Sequence, residues 1–444
     1  LTYNRCAGVL FRGSCCQTAE QFKKTVIFKI YSLMFMLAFF AGLIFFACAF
    51  CAKLPKNVTI DGIEVGGKSA AEAVRLVRGS IEENLKTKSL TIIGADKKYV
   101  FSYPEIGYKD NLQKLVKAVK KGNSYTAEVS FYLNGLSEIS HCICDEQSRP
   151  VTEPYAIFNA SGTPFTYCAG SDGFKADRNK LVADVRASLS GGFCDVKVEY
   201  KTLKRTETLS AVKNKTRLIS AFTTYFDSSN FDRAHNIRLA AATVNGTVLA
   251  PGEVFSFNGV VGERTADRGF KSAKIIEKGE FVDGVGGGVC QVSTTLYNAA
   301  LLAGCQITEF HPHSLAVSYV PPSCDAMVSG TYYDLKFKNS LSEKLYIRAA
   351  AGKGYVTFYF YGKSDGAQYS YASRVTGNIP APEEVTDDPS RVKDGRDGIL
   401  SEGYLTVTRG GIKKTVLYRK DKYLPLTRVV PQELPPEDGE AEQP

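Results

Sequence analysis

The chain has 444 residues, more than one hydrophobic core holds, and a hydrophobic content of 44% excludes wholesale disorder. Its formal net charge is +9, but no dense basic cluster is interleaved with stacking aromatic residues, so nucleic-acid binding is not indicated. A basic exterior suits an anionic cell wall or membrane face, although most proteins of this size and charge are simply soluble.

Residues 30–52 predict a single transmembrane helix, because these 23 residues carry no charge and a span needs roughly 20 apolar residues. Basic residues dominate the preceding segment, which predicts a cytoplasmic tail over residues 1–29 and an extracytoplasmic body. One alternative is a cleaved signal peptide, which the length of the apolar run and the lack of a clean cleavage site disfavour. Another is a lipid anchor at Cys48 or Cys51, which the bulky neighbouring phenylalanines fit poorly.

Residues 56–123 and 124–212 each predict a small α/β lobe. In the first lobe, Ser69 and Glu72 form a capping-box pattern, and a helix follows with Ala70, Val74, Val77 and Ile81 on one face. Strands are predicted over residues 89–94 and 98–103, and a second helix over 111–122. The second lobe repeats this order of elements loosely, including a helix over 177–192 that ends in glycine.

The remaining chain predicts a mixed domain over residues 216–352 and a β-rich module over residues 353–430. The module contains a hairpin around Gly410 and Gly411, and residues 378–398 read as a linker rich in proline and charge. The acidic tail, residues 431–444, is predicted to be disordered. The fold class is therefore α+β: a transmembrane helix, two small α/β lobes, a mixed α+β domain and a small β-rich C-terminal module.

The segment "GVGGGVCQVSTTLYNAALLAG" is the most informative in the chain. Glycines precede Cys290, and an apolar helical run follows it, with Val292, Leu296, Ala299, Ala300 and Ala303 predicted to bury one face before Gly304 ends the helix. A helix N-terminus lowers a thiol pKa and offers N–H groups to an oxyanion. Cys290 is thus a candidate nucleophile; the alternative is a buried structural cysteine on a glycine loop.

A general base is expected from "HPHSLAVSYV". His311 and His313 lie two residues apart on either side of Pro312, and Asp325 could orient one imidazole. His313 is the preferred base because a strand is predicted over residues 315–319, and His311 is the reserve. No metal site or cofactor is indicated, since the spacing of Cys142 and Cys144 is not that of a zinc ligand pair.

These blocks carry a resemblance. Together with "YFDSSNFDRAHNIRLAAATVNGTVLAPGEVFSFNGVVGERTADRGF", "HPHSLAVSYVPP" and "YYDLKFKN", the Cys290 segment makes residues 218–352 similar to the VanW-domain family, which is associated with the bacterial envelope and glycopeptide (vancomycin) resistance. The preceding lobes look like the peptidoglycan-binding-type lobes that also accompany L,D-transpeptidases. Where the family usually reads Pro-Pro-Gly-Arg-Asp, this chain has Cys324 before Asp325, so an expected arginine is missing.

The resemblance implies an L,D-transpeptidase-type reaction on peptidoglycan stem peptides at the cell membrane. Cys290 would attack the amide after the third stem residue, His313 or His311 would protonate the departing D-Ala, and a second stem's amine would resolve the thioester. The substrate side would be formed by Gly287, Gly288, Ser293, Arg264, Arg268 and Tyr319.

Two other functions stay open at this point. The missing arginine favours a non-catalytic peptidoglycan-binding scaffold, and a cysteine peptidase or amidase would hydrolyse the same thioester with water. Protein partners, oligomeric state and the disulfide pattern are left undetermined by the sequence.

Overall fold

The computed structural model describes residues 53–277, 280–330 and 332–432. Its first elements, in chain order, are β1 (Thr59–Ile60), β2 (Ile63–Glu64), α1 (Ala70–Lys86), β3 (Ser89–Ile93), β4 (Lys98–Ser102), β5 (Ile106–Asp110), α2 (Leu112–Ala118), β6 (Ser124–Tyr125), β7 (Val129–Leu133), α3 (Leu136–Gln147), β8 (Tyr155–Phe158), β9 (Phe165–Cys168), β10 (Gly173–Ala176), α4 (Arg178–Gly191), β11 (Val196–Lys197), β12 (Tyr200–Leu203) and α5 (Leu209–Asn214).

The elements that follow are β13 (Arg217–Tyr225), α6 (Phe231–Val244), β14 (Val248–Leu249), β15 (Val254–Ser256), α7 (Phe257–Val261), a 3₁₀ turn (Ala266–Arg268), β16 (Ser272–Glu277), β17 (Glu280–Val285), α8 (Val289–Leu302), β18 (Gln306–Glu309), β19 (Lys336–Lys338), β20 (Leu345–Ala351), β21 (Tyr355–Gly362), β22 (Ala367–Ile379), β23 (Glu383–Thr386), a 3₁₀ turn (Pro389–Arg391), β24 (Gly398–Arg409), β25 (Ile412–Tyr423) and β26 (Arg428–Pro431). The fold is mixed α+β, with eight α-helices and many small sheets in the part of the chain that the structure describes.

The chain separates into two compact units. Among the described residues, the first unit contains 53–152 together with 171–205, and the second contains 153–170 together with 206–277, 280–330 and 332–432. This grouping differs from the predicted lobe and module boundaries, which remain a prediction. None of the described helices is long and apolar enough to cross a membrane, and the predicted span, residues 30–52, lies outside the described residues, as does the tail beyond residue 432.

The first unit confirms the predicted capping box. The Glu72 N–H donates to the Ser69 hydroxyl, and the Ser69 N–H donates to the Glu72 carboxylate at 2.9 Å, so α1 starts at Ala70. Its buried stripe is Ala73, Val77 and Leu85, whereas Ala70 is exposed, contrary to the prediction.

Helix α2 is shorter than predicted. It ends at Ala118, not near residue 122, because the chain turns extended at Val119 and the Lys120 N–H donates to the Tyr125 hydroxyl instead of continuing the helix. Helix α4 ends at Gly191, and Gly192 caps it in a left-handed conformation, as the predicted C-terminal glycine indicates.

The second unit is built on an antiparallel sheet with strand order β13–β21–β20–β14. Helix α8 packs on this sheet, where the Ser220 hydroxyl donates to the Ala299 carbonyl at 2.7 Å and the Thr224 and Thr295 hydroxyls are 2.7 Å apart. The five apolar residues predicted to line one face of α8 are buried, but so are its polar residues, so the helix is surrounded on all sides.

The C-terminal segment forms a second antiparallel sheet, β22–β24–β25. The predicted hairpin is confirmed: Gly410 and Gly411 join β24 to β25 with φ angles of +58° and +82°, values that favour glycine. The predicted linker is not wholly irregular, because β23 lies within it and pairs in parallel with β26.

Candidate active site

Cys290 lies in the first turn of α8, immediately after a glycine turn. Gly288 precedes the helix with φ of +102°, and a Cβ on Gly287 would lie only 2.7 Å from the Lys274 carbonyl oxygen, so both positions require glycine. The first N–H groups of a helix have no intrahelical acceptor, and the helix dipole is positive there. Cys290 therefore occupies a position that favours a thiolate.

Asn236 holds this turn in place. Its fully buried side-chain amide donates to the carbonyls of Lys271 and Gly287, at 2.9 and 3.0 Å, and its oxygen accepts from the Lys271 N–H at 2.7 Å. One α6 side chain thus fixes both ends of the β16–β17 hairpin, directly before Cys290.

His313 and Asp325 come together through an irregular loop. The predicted strand over residues 315–319 is not formed; instead, the Asp325 carboxylate accepts from both the backbone N–H and the Nδ1 of His313, each at 2.7 Å. One carboxylate oxygen therefore fixes the main chain and the ring together. Because Nδ1–H donates to Asp325, Nε2 is the nitrogen available to the thiol.

The Cys290 thiol interacts with the His313 imidazole, and each group changes the pKa of the other. Burial alone would raise the pKa of Cys290, but the hydrogen bond and charge of His313 outweigh it and lower that pKa. Burial alone would lower the pKa of His313, whereas its bonds to Asp325 and Cys290 raise that pKa to about 9. The pair thus favours a thiolate beside an imidazolium, the state in which a cysteine is nucleophilic.

Cys290 packs against the edge of the core and forms no disulfide with another described cysteine. Cys290 is half-buried and its thiol is free, as are the thiols of Cys305 and Cys324. Burial raises the pKa of Cys305 to about 12 and that of Cys324 to about 11. Of these three thiols, only Cys290 has its pKa lowered.

Asp325 is supported by the C-terminal sheet. The Tyr423 hydroxyl, on β25, donates to one Asp325 carboxylate oxygen at 2.5 Å and accepts from the Ser323 N–H at 2.7 Å. Arg419, also on β25, donates to the Asp325 backbone carbonyl at 2.7 Å. Burial by itself would raise the pKa of Asp325, but His313, Arg419 and Tyr423 lower it, so the carboxyl stays ionised.

Arg419 is itself held by Asp421 and by an aromatic ring. Its Nε donates to the Asp421 carboxylate at 2.6 Å, and its guanidinium lies 4.6 Å from the Phe310 ring centroid. The Arg419 guanidinium therefore lies next to Asp325. In the resemblance to the VanW-domain family, the expected arginine would directly precede this aspartate, at the position that Cys324 occupies here. Sequence reasoning missed both Arg419 and Tyr423, because they lie about 95 residues further along the chain than Asp325.

Three other residues predicted for the site, His311, Ser293 and Tyr319, lie outside the Cys290–His313–Asp325 arrangement. The His311 ring pairs with Glu309 at 3.2 Å and packs against Tyr333, with no contact to Cys290. Ser293 is fully buried and its hydroxyl bonds to the Cys290 and Ala326 carbonyls, which suits bracing the loop rather than meeting a substrate. Tyr319 is half-buried near the thiol, and burial with the charge of Cys290 raises its pKa.

The two predicted arginines differ. Arg264 is partly buried, donates to the Asn258 side chain at 2.6 Å and interacts with the charge of Cys290. Arg268 is exposed and donates to the Glu263 carbonyl. Arg233, which the sequence reading did not single out, is close to Cys290 as well and donates to Gln291 at 2.6 Å. Its only sequence signal is its place in the first of the segments that carry the resemblance.

Comparison with known proteins matches the segment that carries this site. The sequence model of the family described as VanW like protein matches residues 232–361. The chain is 48% identical over 146 residues to the uncharacterized protein YoaR of Bacillus subtilis (strain 168), a match that covers 32% of this chain and 48% of that protein. It is 32% identical over 113 residues to the vancomycin B-type resistance protein VanW of Enterococcus faecalis (strain ATCC 700802 / V583), covering 24% of this chain and 41% of that protein.

The chain therefore spans less than half the length of either curated relative. No solved structure matches it. The matched segment contains Cys290, His313 and Asp325, whereas Arg419 and Tyr423 lie beyond it. Residues 232–361 are therefore a VanW-like domain, similar to the corresponding parts of these two relatives.

Proposed function

We propose that the protein is a cysteine acyltransferase of the L,D-transpeptidase type that acts on peptidoglycan stem peptides. The observation that carries the proposal is the Cys290–His313–Asp325 arrangement: a partly buried cysteine whose thiol has a lowered pKa, an imidazole with a raised pKa, and a buried carboxylate that orients it. These are the three roles that nucleophilic acyl transfer requires.

In the first half-reaction, the Cys290 thiolate attacks the carbonyl carbon of the amide after the third stem residue. A C–S bond forms and the carbonyl π pair moves to oxygen, near the N–H groups at the start of α8. When the oxyanion collapses, the C–N bond breaks and the His313 imidazolium protonates the departing nitrogen, so D-Ala leaves as a neutral amine. A thioester on Cys290 and a neutral His313 remain.

In the second half-reaction, the side-chain amine of a second stem attacks the thioester. Neutral His313 accepts the proton from this amine, a new amide bond forms, and the C–S bond breaks to regenerate the thiolate. The result is a crosslink between the third residues of two stems. Asp325 keeps Nδ1 protonated in both steps, so Nε2 always faces the reaction.

The proposed location is the outer face of the cell membrane, with residues 30–52 as a single span and residues 1–29 in the cytoplasm. This is supported by the uncharged run and by the basic residues that precede it. It is consistent with the resistance role stated in the name of the Enterococcus faecalis relative.

The test is incubation of the purified protein with disaccharide-tetrapeptides, followed by mass spectrometry. We expect dimers that lack one D-Ala from the wild type and from Cys194→Ala, which removes an exposed thiol outside the site, and none from Cys290→Ala. If tripeptides appeared without dimers, the protein would be a hydrolase rather than a transpeptidase. Unchanged tetrapeptides, or equal dimer from Cys290→Ala, would end it in favour of a non-catalytic wall-binding protein.

A further inference from the structure

Two arginines pack against the glycine turn that presents Cys290. A Cβ on Gly286 would lie 2.9 Å from Cβ of Arg264, and a Cβ on Gly288 would lie 3.0 Å from Cγ of Arg233. Both arginines are half-buried rather than extended into solvent. Two guanidinium side chains thus share one wall of the site with the nucleophile.

Neither guanidinium is neutralised by a carboxylate. Arg233 donates through Nη2 to the Gln291 amide oxygen, and Arg264 donates through Nη2 to the Asn258 amide oxygen, each at 2.6 Å. Within residues 53–277, 280–330 and 332–432, neither takes part in a salt bridge, although exposed arginines such as Arg391 and Arg409 do.

Asp334, an acid that interacts electrostatically with Arg264, already has hydrogen-bond donors of its own. One carboxylate oxygen of Asp334 accepts from the Ser256 hydroxyl and the other accepts from the backbone N–H groups of Asn258 and Leu335. Burial lowers the pKa of Arg264 and of Arg233, as expected for cations that lack full compensation.

Each guanidinium has five N–H donors in a planar fork, and the amide partners use only one of these donors on each. A planar fork matches a carboxylate in a bidentate geometry that an amide oxygen does not satisfy. Amide partners hold the two side chains in place without cancelling their charge.

We infer that Arg233 and Arg264 form a carboxylate-binding pair beside Cys290, so that the substrate is a peptide with a carboxylate close to the scissile amide. This inference rests on the proposed function and names its substrate class. The carboxylate could be the free C-terminus of the leaving residue or a side-chain group on the residue that is acylated. Both sources present the same chemistry to the arginines.

The first experiment needs no knowledge of the natural substrate. Cys290 is alkylated with iodoacetate, which carries a carboxylate, and with iodoacetamide, its neutral isostere, and the modified Cys290 peptide is quantified by mass spectrometry. In each reaction the thiolate displaces iodide, so the ratio of the two rates does not depend on the thiolate fraction. Exposed Cys194 in the same protein supplies an internal reference.

We expect the iodoacetate-to-iodoacetamide ratio at Cys290 to exceed that at Cys194 by about tenfold, since a hydrogen bond to a charged group has that effect. Arg233→Gln and Arg264→Gln should each lower the ratio several-fold, and the lysine variants should retain part of it. The matched control is Arg238→Gln, an exposed arginine on the same helix as Arg233, which should leave the ratio unchanged. A change in the thiolate fraction of Cys290 in a variant alters both alkylation rates equally and therefore leaves their ratio unchanged.

A second experiment separates the two carboxylate sources. Cys290 is protected from iodoacetamide by a tetrapeptide stem with a free C-terminus, by its C-terminal amide, and by a stem whose side-chain carboxyl is amidated. Loss of protection with only one of the amidated peptides identifies the carboxylate that is bound. The inference would be overturned if all three peptides protected Cys290 equally. It would also be overturned if the iodoacetate-to-iodoacetamide ratio at Cys290 matched that at Cys194 and did not change in either glutamine variant.

The transpeptidase proposal and the carboxylate-binding pair can be refuted independently of each other. The alkylation ratio reports charge recognition even if no crosslink is ever formed, so a preserved ratio without dimers would refute the transpeptidase and keep the carboxylate pair. Dimers together with an alkylation ratio that is unchanged in both glutamine variants would keep the transpeptidase and refute the carboxylate pair.

Discussion

At the residue scale, the proposed chemistry depends on one proton shared between Cys290 and His313. An ordinary thiol has a pKa of about 8.5 and an ordinary imidazole about 6.5, so an isolated pair would be neutral at pH 7. Here the pKa of the thiol is lowered and that of the imidazole is raised to about 9. The charged pair is therefore present above the lowered pKa of Cys290 and is lost as the pH rises through the raised pKa of His313.

This ion pair predicts the pH dependence of Cys290 alkylation by iodoacetamide. The wild type should remain reactive well below pH 8, whereas in His313→Gln the thiol loses its main counter-charge, burial outweighs the remaining arginine charge, and reactivity should appear only above about pH 8.5. The rate at the Cys290 peptide is followed by mass spectrometry between pH 5 and pH 10.

The matched control is His311→Gln, whose imidazole pairs with Glu309 and not with the thiol. It should leave the profile of Cys290 unchanged. Superimposable profiles for the wild type and His313→Gln would show that His313 does not set the protonation of the thiol.

At the element scale, the site depends on the close approach of the glycine turn to strand β16. Asn236 bonds to both sides of the hairpin, and Gly287 leaves no room for a side chain against Ala273 and Lys274. The start of α8, and with it the position of Cys290, is thus set by packing that precedes the helix.

Gly287→Ala should therefore destabilise the protein by about 1–3 kcal/mol, the usual cost of overpacking, and should also slow the reaction at Cys290. Thermal unfolding gives the first quantity and the iodoacetamide rate the second. Gly79→Ala provides a control on α1, where a Cβ would meet no atom within 4 Å; alanine there should stabilise the helix by roughly 0.5–1 kcal/mol. A Gly287→Ala protein as stable and reactive as the wild type would contradict the packing argument.

At the scale of the second unit as a whole, the Asp325 carboxylate is supported from outside the VanW-like domain. Residues 232–361 contain the three candidate catalytic residues, but Tyr423 and Arg419 reach Asp325 from β25. The β22–β24–β25 sheet is therefore a structural part of the site.

Tyr423→Phe tests this dependence with the smallest change. It removes a hydrogen bond to Asp325 and leaves the Ser323 N–H without its acceptor, which should cost about 1–2 kcal/mol of stability. We expect turnover to fall about tenfold with little change in KM, because Asp325 orients His313 and does not bind substrate.

Tyr404→Phe is the comparison variant, since its hydroxyl pairs with Glu402 on the same sheet, away from Asp325. It should leave turnover as in the wild type. If both tyrosine variants behaved alike, the sheet would have no special role in orienting the carboxylate.

The sequence by itself determined the local features of this protein. The Ser69–Glu72 capping box, the hairpin at Gly410 and Gly411, and the start of a helix at Cys290 depend on neighbours within a few residues, so their patterns are legible in the chain. The proximity of Cys290 to His313 was inferred from their resemblance to a family and from residue types. The strand predicted beyond His313 was wrong, because a buried carboxylate, not a ladder of hydrogen bonds, fixes that loop.

Only the tertiary structure decided which distant groups meet. Arg233, Arg419 and Tyr423 give no periodic or spacing signal, because their partners are tens of residues away along the chain. The same holds for Ser293, whose burial depends on a loop more than 30 residues further on. Hydrogen bonds between distant segments form when the core closes and brings them together, and no local pattern in a single sequence encodes that closure.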